Sequence, residues 1–480
     1  MHSHRFDIHP VALRRGARHV APTVTLLIGF AAAGSTVAVS PAQATMGEVR
    51  FHQKISQITG GLLGSLENGD RLGVSVASLG DLDGNGVSEI AVGAVGDDAG
   101  GTDRGAVWIL FLNPNGTVIT HQKISDTQGG FSGGLADGDT FGSSLAAIGD
   151  LDGDGITELA VGARSDNDGA ADAGAVWILF LHANGTVRSV QKISATAGGF
   201  SGALDGADSF GQSVAALGDL DGDAVPDLAV GAHLDDDGAD AQGAVWILFL
   251  DPDGTVDDFQ KISATEGGFA GNLDLQDFFG FSVARLADLD DDGDPELAVG
   301  APADDDGGSN RGAVWILMLN DDGTVDDHIK LSSISGGFTG DVDDGDLFGS
   351  SLAALGDLDR DGRPDLAVGA SRDDDGGSGR GAVWNLFLEE LGTVRNDVKV
   401  SDTSGGFAGV LDDNDFFGLS VASPGDLDGD GNVDLVVGAP NDDDGGAERG
   451  ALWVLFLHGS ALFADDFETG ALLRWSDTQP

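Results

Sequence analysis

The sequence predicts an all-β fold: a β-propeller of six four-stranded antiparallel blades, its ring closed by the N-terminal strand. Three observations carry this. A unit of 69 residues recurs six times without insertion, marked by Trp108, Trp177, Trp246, Trp315, Trp384 and Trp453. Within each unit a run such as "VWILFL" is apolar at every position, as a strand is when both its faces are covered. The chain also opens with a strand-like segment that has no unit of its own, while the last unit lacks that same strand.

Each unit reads as four strands. In the second copy they are "SSLAAIGD" (143–150), "ELAVGA" (158–163), "GAVWILFL" (174–181) and "TVRSVQKIS" (186–194). The last two are joined through Asn184-Gly185, a pair suited to the positive φ of a tight hairpin turn. Asp253-Gly254 and Asp322-Gly323 fill the same slot, so turn chemistry accounts for the two "NGT" sequons at Asn115 and Asn184. Ahead of each first strand stands a recurring glycine: Gly73, Gly142, Gly211, Gly280, Gly349 and Gly418.

Four antiparallel strands are covered on both faces only when units stack sheet on sheet, in a closed propeller or an open solenoid. A unit of this length is too long for one coil of a β-helix. Closure follows from the ends: "EVRFHQKIS" (48–56) is a fourth strand without a unit, and the last unit stops after "GALWVLFLHG" (450–459). Pairing the two shuts the ring and removes the edges that an open array exposes.

The chain has 80 acidic and 24 basic residues and a formal net charge of −56. Such a surface repels nucleic acid and anionic membranes, both of which reward Lys and Arg, and attracts divalent cations. With no cysteine, disulfides, zinc–thiolate sites and cysteine nucleophiles are excluded. Residues 1–44 read as an export signal: Arg14, Arg15 and Arg18 precede an uncharged stretch from Val20 to Val39, then Ala42-Gln43-Ala44 as a cleavage pattern. The alternative is an uncleaved anchor. Beyond that stretch no apolar run is long enough to span a bilayer, so a secreted or cell-surface chain, without membrane insertion after cleavage, is expected. Residues 45–459 form the propeller, and 460–480 a C-terminal tail outside the repeat.

The loop before each second strand spaces oxygen ligands at odd positions. The sets are Asp81, Asp83, Asn85 and Glu89; Asp150, Asp152, Asp154 and Glu158; Asp219, Asp221, Asp223 and Asp227; Asp288, Asp290, Asp292 and Glu296; Asp357, Asp359, Asp361 and Asp365; and Asp426, Asp428, Asp430 and Asp434. Position seven offers a backbone carbonyl, from Val87, Ile156, Val225, Asp294, Arg363 and Asn432. Hard oxygens in this number on a flexible loop suit Ca²⁺, whereas Mg²⁺ favours a rigid octahedron with several waters. Up to six Ca²⁺, one per blade, are therefore expected. Glycine occupies position six in five loops; Ala224 in the third makes that site the weakest. The bland alternative is that these acids only shape turns.

The stretch "FGSSLAAIGDLDGDGITELAVGA" (141–163) and its five counterparts resemble the FG-GAP repeat family, which forms the blades of the integrin α-subunit propeller and of many secreted bacterial proteins. The resemblance covers about residues 45–459. It implies calcium in the loops and binding or adhesion at a propeller face, and it does not imply catalysis. Integrin propellers have seven blades, of which only some bind calcium, so seven stands as the alternative to the six legible here.

Two further acidic features recur. The "DDDGG" strings at 304–308, 373–377 and 442–446 lack ligand spacing and read as solvated loops. The Asp three residues before each recurring glycine (Asp70, Asp139, Asp208, Asp277, Asp346, Asp415) reads as a turn cap. An active site needs unlike groups brought together, whereas these carboxylates repeat; tyrosine is absent and no nucleophile or zinc-protease motif occurs. A binding module for a protein or glycan partner is thus expected, monomeric and not an enzyme. The alternatives are a passive surface-coat protein and a polysaccharide-active enzyme. Residues that break the repeat, Arg164, His233, Arg285, Arg372, Asn385, Glu389 and Glu390, are the only local pointers to a ligand.

Overall fold

The computed structural model describes residues 45–290 and 292–459. The export signal expected at 1–44 and the tail expected at 460–480 lie outside the described residues. The described residues form six four-stranded antiparallel sheets arranged in a ring, with no α-helix and one 3₁₀ turn at Glu390–Gly392. Blade 1 consists of Val76–Gly80, Glu89–Ala94, Ala106–Leu112 and Val118–Ile124, in that spatial order from the axis outward. Blades 2 to 5 repeat this through Phe141–Ser194, Ser213–Ser263, Ser282–Ser332 and Phe348–Ser401.

Blade 6 takes its three inner strands from Ser420–Gly425, Asp434–Ala439 and Ala451–Leu457 and its outer strand from Val49–Ser56. Lys54 stands opposite Trp453 in that closing pair, as Lys192 stands opposite Trp177 in blade 2. The six blades and the N-terminal closing strand are as the sequence predicts. Asn385, where the other copies have an apolar residue, explains itself here. Buried in blade 5, its Nδ2 donates to the Gly47 carbonyl at 2.8 Å and moors the segment leading into the closing strand.

The all-apolar third strand divides its side chains between two neighbours. Val107, Ile109 and Phe111 pack with Trp177, Leu179 and Leu181 of blade 2. Trp108, Leu110 and Leu112 pack with Leu452, Val454 and Phe456 of blade 6. Each junction between blades is such an apolar layer, and at about 25 cal/mol per Å² of buried apolar surface these layers hold the ring.

The blades also approach through backbone. Gly438 on the second strand of blade 6 could not carry a Cβ, which would sit 2.0 Å from the carbonyl oxygen of Gly73; Gly73 has φ +95°. The recurring glycine and the glycine of "VGA" therefore meet across a junction that admits no side chain from either. Ser420 seals the same spot, its Oγ donating to the Gly73 carbonyl at 2.8 Å. The equivalent bond recurs from Ser75, Ser144, Ser213, Ser282 and Ser351, each to the next blade's glycine at 2.7–2.8 Å.

Candidate metal centres

The acidic loops join the first and second strands, so all six lie on one face of the ring. Antiparallel connectivity places the recurring glycines and the "DDDGG" strings at the opposite face. Each loop is wound by its own backbone. The N–H of position six donates to the first carboxylate, as in Gly155 to Asp150 Oδ2 at 2.9 Å, and that of position seven to the fifth, as in Ile156 to Asp154 Oδ1 at 2.9 Å. Ala224 keeps the pattern in the third loop, donating to Asp219 Oδ2 at 2.9 Å, at the expense of a φ of +74°.

This winding brings carboxylates together. One oxygen each from Asp81, Asp83 and Glu89 lies within 4.8 Å of the others, and so do those of Asp150, Asp152 and Glu158; Asp219, Asp221 and Asp227; and Asp288, Asp290 and Glu296. In blade 5 the grouped residues are Asp357, Asp359 and Asp361, without Asp365. Both Asp365 oxygens accept backbone N–H groups, from Leu358 at 2.8 Å and Leu388 at 3.3 Å. Asp227 is likewise held by Leu220 at 2.9 Å and Leu250 at 3.2 Å.

Where glutamate closes the first two loops, one oxygen stays available. Glu89 and Glu158 each accept the N–H of position two through Oε2, at 2.7 and 2.8 Å, while Oε1 is buried without a hydrogen-bond partner. Asp434 Oδ1 and Asp288 Oδ1 are buried and unpartnered in the same way. Burial pushes Glu89, Glu158 and Glu296 up to about 7, and the neighbouring aspartates push in the same direction. Asp227 is raised to about 6, and Asp365 and Asp434 to about 7, again chiefly by burial. A buried carboxylate oxygen among like charges is unfavourable unless a cation or proton meets it, so the donor set fits a hard divalent ion.

Sequence reasoning missed the cations these loops already hold. Arg188 pairs with Asp152 and, at 3.2 Å, with Asp154. Arg395 pairs with Asp359 and Asp361, and Arg50 with Asp428 and Asp430. All three arginines sit at the second residue of an outer strand, where blades 1, 3 and 4 carry Ile119, Asp257 and Asp326. That shared register was the available signal. Arg363, expected to contribute its carbonyl, also reaches blade 4 and donates through Nη1 to the Leu289 carbonyl at 2.7 Å.

The opposite face corrects one expectation. The first Asp of each "DDDGG" string is buried rather than solvated. Asp304, Asp373 and Asp442 each bind the outer-strand lysine at 2.6 Å, from Lys330, Lys399 and Lys54. Each lysine also lies over the blade's tryptophan, 5.1–5.3 Å from the ring centre. A lysine and an aspartate that both recur at the repeat period, 26 residues apart, were the available signal for the pair. The cap aspartates behave as expected: Asp208 Oδ2 accepts the Asp205 N–H at 2.7 Å, and Asp139 accepts that of Ala136 at the same distance.

Comparison with known proteins places these features. The FG-GAP repeat model matches residues 141–179, 210–248, 279–317, 348–386 and 417–455. Blade 1 lies outside the match, with Leu72 where the matched copies have phenylalanine, yet it folds alike. The chain is 35% identical over 235 residues to integrin alpha-5 of Xenopus laevis, covering 48% of this chain and 20% of that one. It is 37% identical over 161 residues to integrin alpha-7 of Homo sapiens, covering 34% and 12%. Over 181 residues it is 32% identical to phosphatidylinositol-glycan-specific phospholipase D of Rattus norvegicus, covering 37% and 20%. The chain thus spans a fifth or less of the length of these relatives. Five of the six blades of this β-propeller thus match the FG-GAP repeat, and the chain is similar in sequence to integrin α subunits.

Proposed function

We propose that the chain is a calcium-stabilised binding module, secreted or displayed at the cell surface as exported bacterial proteins of this kind are, and that it catalyses nothing. The observation that carries the reading is the grouping of carboxylate oxygens in the blade loops, with one buried oxygen in each of blades 1, 2, 4 and 6 left without a hydrogen-bond partner. Asp and Glu side chains at positions one, three, five and nine, with the carbonyl of position seven, supply a shell of the size Ca²⁺ takes. The ion neutralises the loop and ties the first strand to the second. Among the described residues no helix is long and apolar enough to cross a membrane.

The integrin relatives support an adhesive or binding role, and the carboxylates that could serve acid–base chemistry are engaged in the repeating loops and lysine pairs. The test is calcium titration of the full chain by calorimetry, with capture of partners from the native surface in calcium and in chelator. Uptake of several ions per chain and capture that chelator abolishes are expected. No uptake at millimolar calcium, or equal capture in chelator, would overturn the reading.

A further inference from the structure

The face opposite the acidic loops carries a second arrangement at the ring axis. The residue after each "VGA" is Val95, Arg164, His233, Pro302, Ser371 and Pro440 in blades 1 to 6, so the repeat is broken just where the second strands end. Arg164 and Arg372 line a cavity of about 470 Å³ there, with Phe278, Phe281, Phe416 and Leu419 among its walls. His233 lies edge-on to Phe278 and Phe281, at 5.7 and 5.3 Å between ring centres. Burial drives His233 down to about 3, so it backs those two rings as a neutral side chain.

The two guanidiniums line a cavity that holds no acidic side chain. Arg188, Arg311, Arg380 and Arg395 are all ion-paired to aspartates. Arg164 has Gln212 Oε1 at 2.9 Å and Arg372 lies over the Phe416 ring at 5.7 Å, and neither forms an ion pair among the described residues. Burial, with Arg71 adding repulsion, holds Arg164 below its usual basicity. In a chain with a net charge of −56, carboxylates are plentiful, yet none meets this half-buried arginine. A desolvated guanidinium with an open fork is built for a bidentate anion.

We propose that this axial mouth binds a peptide carboxylate, with Arg164 as the anion contact, Arg372 as a second positive group, and the phenylalanine wall taking an apolar side chain beside the acid. The lining decides for a peptide over an acidic sugar. It is mostly phenylalanine, leucine, proline and alanine, with only Asn310, Ser350 and Ser371 as neutral polar groups, too few to satisfy a ring of hydroxyls. This inference rests on the binding-module reading and gives it a face and a ligand chemistry.

The test uses the full chain in saturating calcium and three probes: acetyl-Phe-Asp-Leu-amide, its Asn counterpart, and trigalacturonate, titrated by calorimetry. The Asp peptide is expected to bind at least about tenfold more tightly than the Asn peptide, a difference of about 1.4 kcal/mol. Arg164→Gln should erase that preference, while Arg285→Gln, on the inner-strand end of blade 4, should leave it intact. Equal binding of the two peptides, no binding of either at millimolar concentration, or tighter binding of trigalacturonate would each overturn the proposal. The peptide comparison needs no variant, so a folding defect in Arg164→Gln does not blunt it. Retention of calcium-dependent surface capture by Arg164→Gln would sink this inference alone; loss of calcium uptake in the unaltered chain would sink the broader reading.

Discussion

Ser420 Oγ donates to the carbonyl of Gly73 at 2.8 Å, across the junction where the last blade meets the first. The same bond links Ser213 to Gly280 inside a continuous stretch of chain. Closure thus repeats an ordinary junction. Ser420→Ala and Ser213→Ala are therefore expected to destabilise alike, each by about 1–3 kcal/mol, because each leaves a buried carbonyl without its donor. Urea unfolding measures both. A silent Ser420→Ala beside a costly Ser213→Ala would mean that the seam is not formed as described.

The architecture was legible because repetition reports geometry: six tryptophans in register required six like units, and "VWILFL" required covered faces. The orphan strand at 48–56 located the closure. The loop acids were legible by spacing, but their partners were not. Arg188 and Asp152 are 36 residues apart, and Lys261 lies 26 residues beyond Asp235. Only the folded blade, which lays the outer strand beside both loops, makes them neighbours. Burial of the "DDDGG" aspartates was hidden for the same reason, since a charge run reads as solvated until its counter-ion is placed. The axial mouth assembles residues from blades 2, 4, 5 and 6, and no local pattern announces it.

The lysine beneath each tryptophan has a measurable role. Lys261 binds Asp235 at 2.8 Å and Asp237 at 2.6 Å and lies 5.0 Å from the Trp246 ring centre. Asp235 is buried, so Lys261→Met should leave an uncompensated charge and cost about 3–5 kcal/mol. Adding Asp235→Asn should recover much of that loss, because a neutral amide removes the buried charge. A loss that the second change does not relieve would assign the role to packing on Trp246.

Asp208 predicts a pH dependence. Burial, reinforced by the nearby Asp235, raises it from 3.8 to about 7, against the pull of the Asp205 N–H. The folded state therefore holds this proton more tightly than the unfolded chain. Its contribution is greatest at low pH and declines as pH rises from about 4 to about 7. Asp208→Asn, which keeps the acceptor and removes the charge, should flatten the stability curve in that window with calcium saturating. An unchanged slope in urea unfolding would contradict the assignment.

Arginines in three loops compete with any ion for the same carboxylates. Arg188 occupies Asp152 and Asp154; releasing them by Arg188→Gln should tighten calcium binding at that loop. The two pairs are partly exposed and worth about 0.2–1 kcal/mol together, so the gain should be no more than roughly fivefold. Calorimetric titration of the variant checks this, and weaker binding would show that the arginine supports the site instead.

Thermal unfolding at fixed ionic strength, in millimolar calcium and in excess chelator, tests the central claim that calcium is built into the blades. A ligand that binds only the folded state contributes about 1.4 kcal/mol per site at tenfold saturation, and six independent sites roughly 8 kcal/mol. For a domain of this size that corresponds to a fall in Tm on the order of ten degrees on chelation. A fall of that size, reversed by calcium and little by magnesium, is the expected result. A shift of no more than a degree or two would contradict the claim and leave the loops as acidic turns.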